Sequence, residues 1–141
     1  MPYTYEYPRP AVSADVVVLD CETDSILLIQ RKKDPFAGSW ALPGGFMDMD
    51  ESADVAAIRE LKEETELIVE SVKQIGAYST VDRDPRGRVV TVAFFTTASQ
   101  SDHIAAADDA ADARWFSINE LPDLAFDHAK IISDGLAQFS S

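Results

Sequence analysis

The segment 45–67, GFMDMDESADVAAIRELKEETEL, decides the fold, because a glycine turn in it leads directly into a strongly patterned helix. From position 52 to position 65 the apolar residues recur with a helical period, and Ser52 suits the N-cap position. The predicted inward stripe consists of Val55, Ile58, Leu61 and Thr65.

The acids of this predicted helix gather on one face. At about 100° per residue, Glu60, Glu63 and Glu64 fall together, and Ala56 lies in the same arc. Glu60 and Glu64 are a like-charge pair near the helix C-terminus, where the helix dipole disfavours anions. A solvated helix face is the alternative interpretation, although such a face usually mixes both signs. Converging carboxylates suit a hard divalent cation, so the face predicts a magnesium site.

The spacing of glycine, acids and arginine over these 23 positions resembles the Nudix box of the Nudix hydrolases. The matching residues are Gly45, Glu51, Arg59, Glu60, Leu61, Glu63, Glu64 and Leu67. One position departs from the family pattern, because Glu66 stands where the family has a glycine. That glycine supplies a left-handed residue, and a non-glycine residue there costs about 1–2 kcal/mol. The flanking sequences 40–46, 115–116 and 120–122 also resemble the family.

The resemblance implies an α/β fold, specifically an α/β/α sandwich around a mixed sheet, and a hydrolase that requires Mg²⁺ or Mn²⁺. The implied metal ligands are the Gly45 carbonyl and the side chains of Glu60, Glu63 and Glu64. Glu51 would reach the site from the turn before the helix, and Arg59 would orient an acid through a bidentate pair. The general base is a glutamate of the box or a loop acid. Asp109 and Asp108 are the loop candidates, although Asp102 and Asp112 are equally placed in the sequence.

The segments 31–40 and 82–95 resemble the ADP-ribose pyrophosphatase branch of the family. This resemblance implies hydrolysis of a nucleoside diphosphate linked to another moiety, with ADP-ribose cleaved to AMP and ribose 5-phosphate. Two alternatives remain open. One alternative is a hydrolase of nucleoside triphosphates, including oxidised ones. The other is a catalytically silent nucleotide-sensing domain.

The substrate-binding candidates are cations and aromatic residues outside the helix. Arg83 and Arg86 lie in a sharply turned loop with Arg88, and arginine suits phosphate and ribose oxygens. A surface turn in which neighbouring aspartates pair with the arginines is the alternative. Phe36 and Trp40 offer aromatic rings for stacking on a base, although aromatic residues of this kind more often belong to the core.

Length and charge limit the class of protein. With 141 residues, the chain suits a single domain over 1–141, with an extended arm at 1–10. A net charge of −13 disfavours nucleic acid and anionic membranes as partners. A single cysteine, Cys21, excludes an intrachain disulfide and favours a cytoplasmic location. The tyrosine-rich arm and the family resemblance favour a homodimer.

The remaining secondary structure follows from shorter patterns. Period-two and β-branched stretches predict strands at 11–20, 25–31, 40–42, 67–79, 89–97 and 113–116. The glycine turn at 43–45 is expected to end the third of these strands. Ser117 is predicted to cap a short helix that ends at Pro122, and Asp127 a final helix that reaches Phe139.

Overall fold

A mixed sheet with a helix on each face forms the body of the molecule, as seen in a computed structural model that describes residues 4–107 and 110–140. The strands are β1 (Ala11–Asp20), β2 (Ser25–Arg31), β3 (Trp40–Ala41), β4 (Gly44–Phe46), β5 (Lys73–Tyr78), β6 (Val89–Thr97) and β7 (Ala110–Ser117). The helices are α1 (Ala53–Thr65) and α2 (His128–Phe139). The predicted fold class is confirmed.

β1 lies at the centre of the sheet. The main path runs β3-β2-β1-β6-β5, while β4 also pairs with β1 and β7 with β2. β1 and β6 run parallel, and the other pairs are antiparallel. Side chains of β1 can therefore reach both helices and the short strand β4.

Alternation along β1 builds two separate apolar layers. Val16 and Val18 pack in the cluster that contains Leu61 of α1. Val17 and Leu19 point to the other face and pack in the cluster that contains Ile131 of α2. Because each face of the sheet is covered by one helix, the molecule is the α/β/α sandwich that the resemblance implied.

The inward face of α1 differs from the predicted stripe. Leu61 and Thr65 are buried as expected, but Val55 is 49% exposed and Ala56 is fully buried in its place. The helix packs against β1 and β4, and small side chains at its start allow that close approach. The burial of Ala56 thus replaces that of Val55.

The segment 43–45, predicted to end a strand, instead leads into β4. Gly44 and Gly45 pair with Asp15 and Ala14 of β1. A Cβ at Gly44 would lie 2.4 Å from the Ala14 carbonyl oxygen, so glycine is required for this pairing. A strand of three residues is too short to show a period in the sequence.

Two other regions differ from the predictions. The strand predicted at 67–79 is shorter, because β5 covers only Lys73–Tyr78. Residues 118–120 form a turn rather than a helix. The described part of the arm, 4–10, is exposed and carries no strand. None of the helices in the described ranges is long and apolar enough to cross a membrane.

Glu66 ends α1 in the left-handed conformation that the family glycine would supply. Its φ is 63°, and its N–H donates to the Lys62 carbonyl. We expect Glu66→Gly to raise the free energy of unfolding by about 0.5–1 kcal/mol, because the left-handed strain disappears while the unfolded chain gains entropy. The corresponding rise in Tm is about 2 °C.

Glu66→Ala is the matched control for this prediction. It removes the same exposed contact with His103 but keeps the Cβ, so it should not stabilise the protein. Thermal melts of the three proteins decide the matter. Equal melting of the glycine and alanine variants would contradict the strain argument.

Candidate functional site

A cleft of about 640 Å³ opens beside α1. Its acids come from α1, from β1 and from the loop after β2, and its cations come from the end of β2, the loop after it and the loop before β6. Its polar and aromatic lining comes from β1, β4, β6 and the start of α2. The charged lining residues discussed below are Glu60, Glu63, Glu64, Arg31 and Arg86. Both signs of charge thus meet in one cleft, as a charged substrate with a cation would require.

Arg59 connects the acids that precede and follow it along the chain. It donates three bonds to Glu51, from Nη2 to Oε1 at 2.5 Å and from Nε to Oε2 at 2.9 Å and to Oε1 at 3.2 Å. Its Nη1 also reaches Glu60 at 2.8 Å and Glu63 at 3.1 Å. A further bond from Nη2 to the Phe46 carbonyl ties this group to β4. Arg59 therefore has the bidentate contact that an orienting residue needs.

The pKa values of the acids around Arg59 move in opposite directions. Hydrogen bonds from Arg59 lower the pKa of Glu51. Burial raises the pKa of Glu60, and the nearby charges of Glu63 and Glu51 add to this effect against the opposing bonds from Arg59. A carboxylate in such surroundings gains from a further positive charge.

Two glycines of β4 allow the acids of α1 to lie against the sheet. A Cβ at Gly45 would come within 2.6 Å of Cδ of Glu60. The N–H of Gly44 donates to Oε1 of Glu64 at 2.7 Å, and Glu64 is only 7% exposed. Any side chain at position 45 would therefore displace the Glu60 carboxylate.

The donors in this region fit a hard divalent cation by type, since they are carboxylate and carbonyl oxygens. The space that Gly45 leaves beside Glu60 supports the same fit. Within the described ranges no three His, Cys, Asp or Glu side chains converge as a metal cluster. The reason is visible at Arg59, which holds Glu60 and Glu63 through its guanidinium.

Arg86 lies at the cleft, whereas Arg83 does not line it. Arg86 sits 4.8 Å from the ring centroid of Phe46 and 5.4 Å from that of Phe126, and it is held by Asp84. Arg83 is only 4% exposed and is absent from the described lining of the cleft. Its guanidinium donates to Asp127, so the Asp127 carboxylate does not cap α2.

The two aromatic residues predicted to bind substrate lie in different places. Phe36 is 41% exposed and meets Phe126 edge to face at 4.8 Å, so it lies beside the cleft without lining its described part. Trp40 packs on Phe116 within the apolar layer under α2 and is likewise absent from that lining. Asp109 and Asp108 lie outside the described residues.

Two cleft residues were missed from the sequence. Asp15 and His128 line the cleft together, 3.2 Å apart, and both are buried. A charge in the middle of the apolar strand β1 was the available signal for Asp15. For His128 no local pattern exists, because its partner Leu42 is 86 positions away.

A family model for the NUDIX domain matches residues 9–135, which is most of the chain. The chain belongs to the Nudix family. This match and the relative described next confirm the prediction of a Nudix pyrophosphatase. Members of the family generally use divalent metal ions, in agreement with the oxygen donors of the cleft.

Several relatives of this Nudix domain are known. An ADP-ribose pyrophosphatase of Methanocaldococcus jannaschii is 47% identical over 129 residues, which cover 91% of this chain and 74% of that protein. The NUDIX domain of Shewanella oneidensis NrtR, solved in complex with ADP ribose, is 30% identical with a TM-score of 0.86, over 95% of this chain and 91% of that one.

A bifunctional NMN adenylyltransferase/ADP ribose pyrophosphatase of Francisella tularensis was solved with AMP and a Mn ion. It is 32% identical with a TM-score of 0.85, over 95% of this chain. The match spans only 43% of that longer protein. The shared part is thus the Nudix domain.

Proposed function

We propose that this protein hydrolyses ADP-ribose, or a close nucleoside diphosphate derivative, to AMP and ribose 5-phosphate with Mg²⁺ or Mn²⁺. The observation that carries the proposal is the cleft in which the acids of the Nudix box meet Arg86 and Arg31. The similar archaeal protein is an ADP-ribose pyrophosphatase, and the Shewanella domain binds ADP ribose.

The metal would be held by Glu60, Glu63 and Glu64, with the Gly45 carbonyl. When bound, a divalent cation neutralises the diphosphate and lowers the pKa of water. Arg59 positions Glu60 and Glu63 through its guanidinium, and its bonds to Glu51 fix that guanidinium in place. The box therefore contains both the proposed ligands and the residue that orients them.

Arg86 is the proposed contact for the phosphate or ribose oxygens of the substrate. The three bonds that its side chain donates to Asp84 and two flanking aromatic rings hold its guanidinium at the cleft. Phe36 and Phe126 form an aromatic pair at the same end, which suits stacking on a base. Arg83 has no part in this contact, because its guanidinium binds Asp127 and Thr91.

Asp109 stays the proposed general base from the loop. Ala107 donates its N–H to the Glu64 carbonyl at 3.0 Å, so the described part of this loop reaches the end of α1. A carboxylate from this loop suits proton transfer from water, with a glutamate of the box as the alternative.

A comparison of substrates tests the proposed function. With Mg²⁺ present, we expect kcat/KM for ADP-ribose to exceed those for ATP, dGTP and 8-oxo-dGTP by at least about tenfold, which corresponds to about 1.4 kcal/mol. Products are identified as AMP and ribose 5-phosphate by chromatography. A triphosphate preferred by tenfold would overturn the ADP-ribose assignment, and tight binding without turnover would indicate a nucleotide-sensing domain.

A further inference from the structure

A buried aspartate in the cleft has no part in the function proposed above. Asp15 lies in the middle of β1, and its side chain is 10% exposed. It lines the same cleft as the acids of α1. Burial of a carboxylate is costly unless its oxygens have polar partners, so the surroundings of both oxygens of Asp15 matter.

His128 lies beside one carboxylate oxygen of Asp15. Nδ1 of His128 accepts the N–H of Leu42 at 3.0 Å, which places the ring proton on Nε2. Nε2 faces Oδ2 of Asp15 at 3.2 Å. The backbone of Leu42 thus fixes the histidine, and the histidine fixes the direction of the carboxylate.

The other oxygen, Oδ1, lies over Gly44. A Cβ at Gly44 would come within 2.0 Å of it, so only a glycine leaves room for this oxygen. No hydrogen-bond donor reaches Oδ1 among the residues that the structure describes. Gly44 also donates its N–H to Glu64. Whatever binds Oδ1 therefore lies next to the place proposed for the diphosphate.

Ser13, two residues earlier on the same strand, also lines the cleft. Its hydroxyl lies 2.6 Å from that of Thr91, which accepts a bond from Arg83 at 2.7 Å. Thr91 can then donate to Ser13, which leaves the Ser13 hydrogen available to a ligand. The carboxylate repels phosphate, and together with a hydroxyl on the same strand face it suits a sugar that carries several hydroxyls.

We propose that Asp15 determines specificity by binding ribose hydroxyls of the substrate through Oδ1. The inference rests on the proposed function, because the diphosphate is placed at the acids of α1. A ribose fits better than a base, since the sugar is bonded directly to the diphosphate and the base lies beyond it. ADP-ribose carries two such sugars, the adenosine ribose and the terminal ribose, and the experiment separates them.

The experiment compares wild type with Asp15→Asn on ADP-ribose and two analogues. One analogue is 2′-deoxy-ADP-ribose, and the other is the tetrahydrofurfuryl ester of ADP, which lacks the terminal hydroxyls. We expect Asp15→Asn to lower kcat/KM for ADP-ribose by at least about tenfold, since charge-assisted hydrogen bonds are lost. For the analogue without the contacted hydroxyls the same substitution should cost less than about threefold.

Asp20→Asn is the matched control, because Asp20 is a buried carboxylate at the end of the same strand and bonds backbone N–H groups outside the cleft. This substitution should change Tm but not the ratio of kcat/KM for ADP-ribose to kcat/KM for each analogue. Asp15→Ala serves as a second variant if the asparagine variant folds poorly, and the ratios are again compared.

Equal losses on all three substrates, for either Asp15 variant, would overturn the inference and show a structural role. With IDP-ribose as a fourth substrate, a loss that disappears only when hypoxanthine replaces adenine would assign Asp15 to the base and also overturn the inference. If wild type does not cleave ADP-ribose, the proposed function fails. The inference is then tested by the same ratio on the preferred nucleotide in its ribo and 2′-deoxy forms.

Discussion

Replacing Glu64 with glutamine is expected to lower the turnover of ADP-ribose by at least about 100-fold and to leave the fold intact. Glutamine keeps an oxygen that can accept the N–H of Gly44, the contact that now holds Glu64 against β4. What it loses is the negative charge that a divalent cation requires. Circular dichroism and steady-state rates with Mg²⁺ measure the two effects.

Glu63→Gln is expected to lower the turnover of ADP-ribose by the same factor, because it removes the same charge. The Glu63 side chain is 45% exposed, so its replacement disturbs little packing. Glu70→Gln is the matched control, because Glu70 is exposed and lies beyond the end of α1. Near-wild-type turnover in both Glu63 and Glu64 variants would remove this helix face from the mechanism.

The local part of the site was predictable from the sequence. The acids of α1 and Arg59 lie within one helix, whose period fixes which side chains share a face. The turn position of Glu51 followed from its place before the helix, whereas a left-handed residue at Glu66 was implied only by the family glycine at that position. The strands with clear β patterns, 11–20, 25–31 and 89–97, appear with the predicted bounds.

The non-local part was not predictable from residue patterns. Asp15 reaches the cleft only because β4 pairs with β1, and His128 reaches it because α2 begins beside Leu42. Arg83 looked like a substrate ligand in its loop. In the fold its guanidinium pairs with Asp127, 44 positions away, and it is absent from the described lining of the cleft.

Magnesium should stabilise the folded protein, because the cation binds the acidic face of α1 and not the unfolded chain. At 100 times its Kd, a ligand of this kind adds about 2.7 kcal/mol to the free energy of unfolding. For a chain of this length that corresponds to a rise in Tm of several degrees. Glu60→Gln should lose most of this rise, since burial and neighbouring acids raise the pKa of Glu60 and a cation would offset both effects.

The most direct test of the account is therefore the thermal melt of wild type and Glu60→Gln, with and without millimolar Mg²⁺ or Mn²⁺, with Glu70→Gln as the control. If a metal binds the acids of α1, the Tm of wild type and of the control rises with metal, and that of Glu60→Gln changes little. A wild-type melt that neither ion shifts, with or without ADP-ribose, would contradict the metal site and leave the acids of α1 as a solvated helix face.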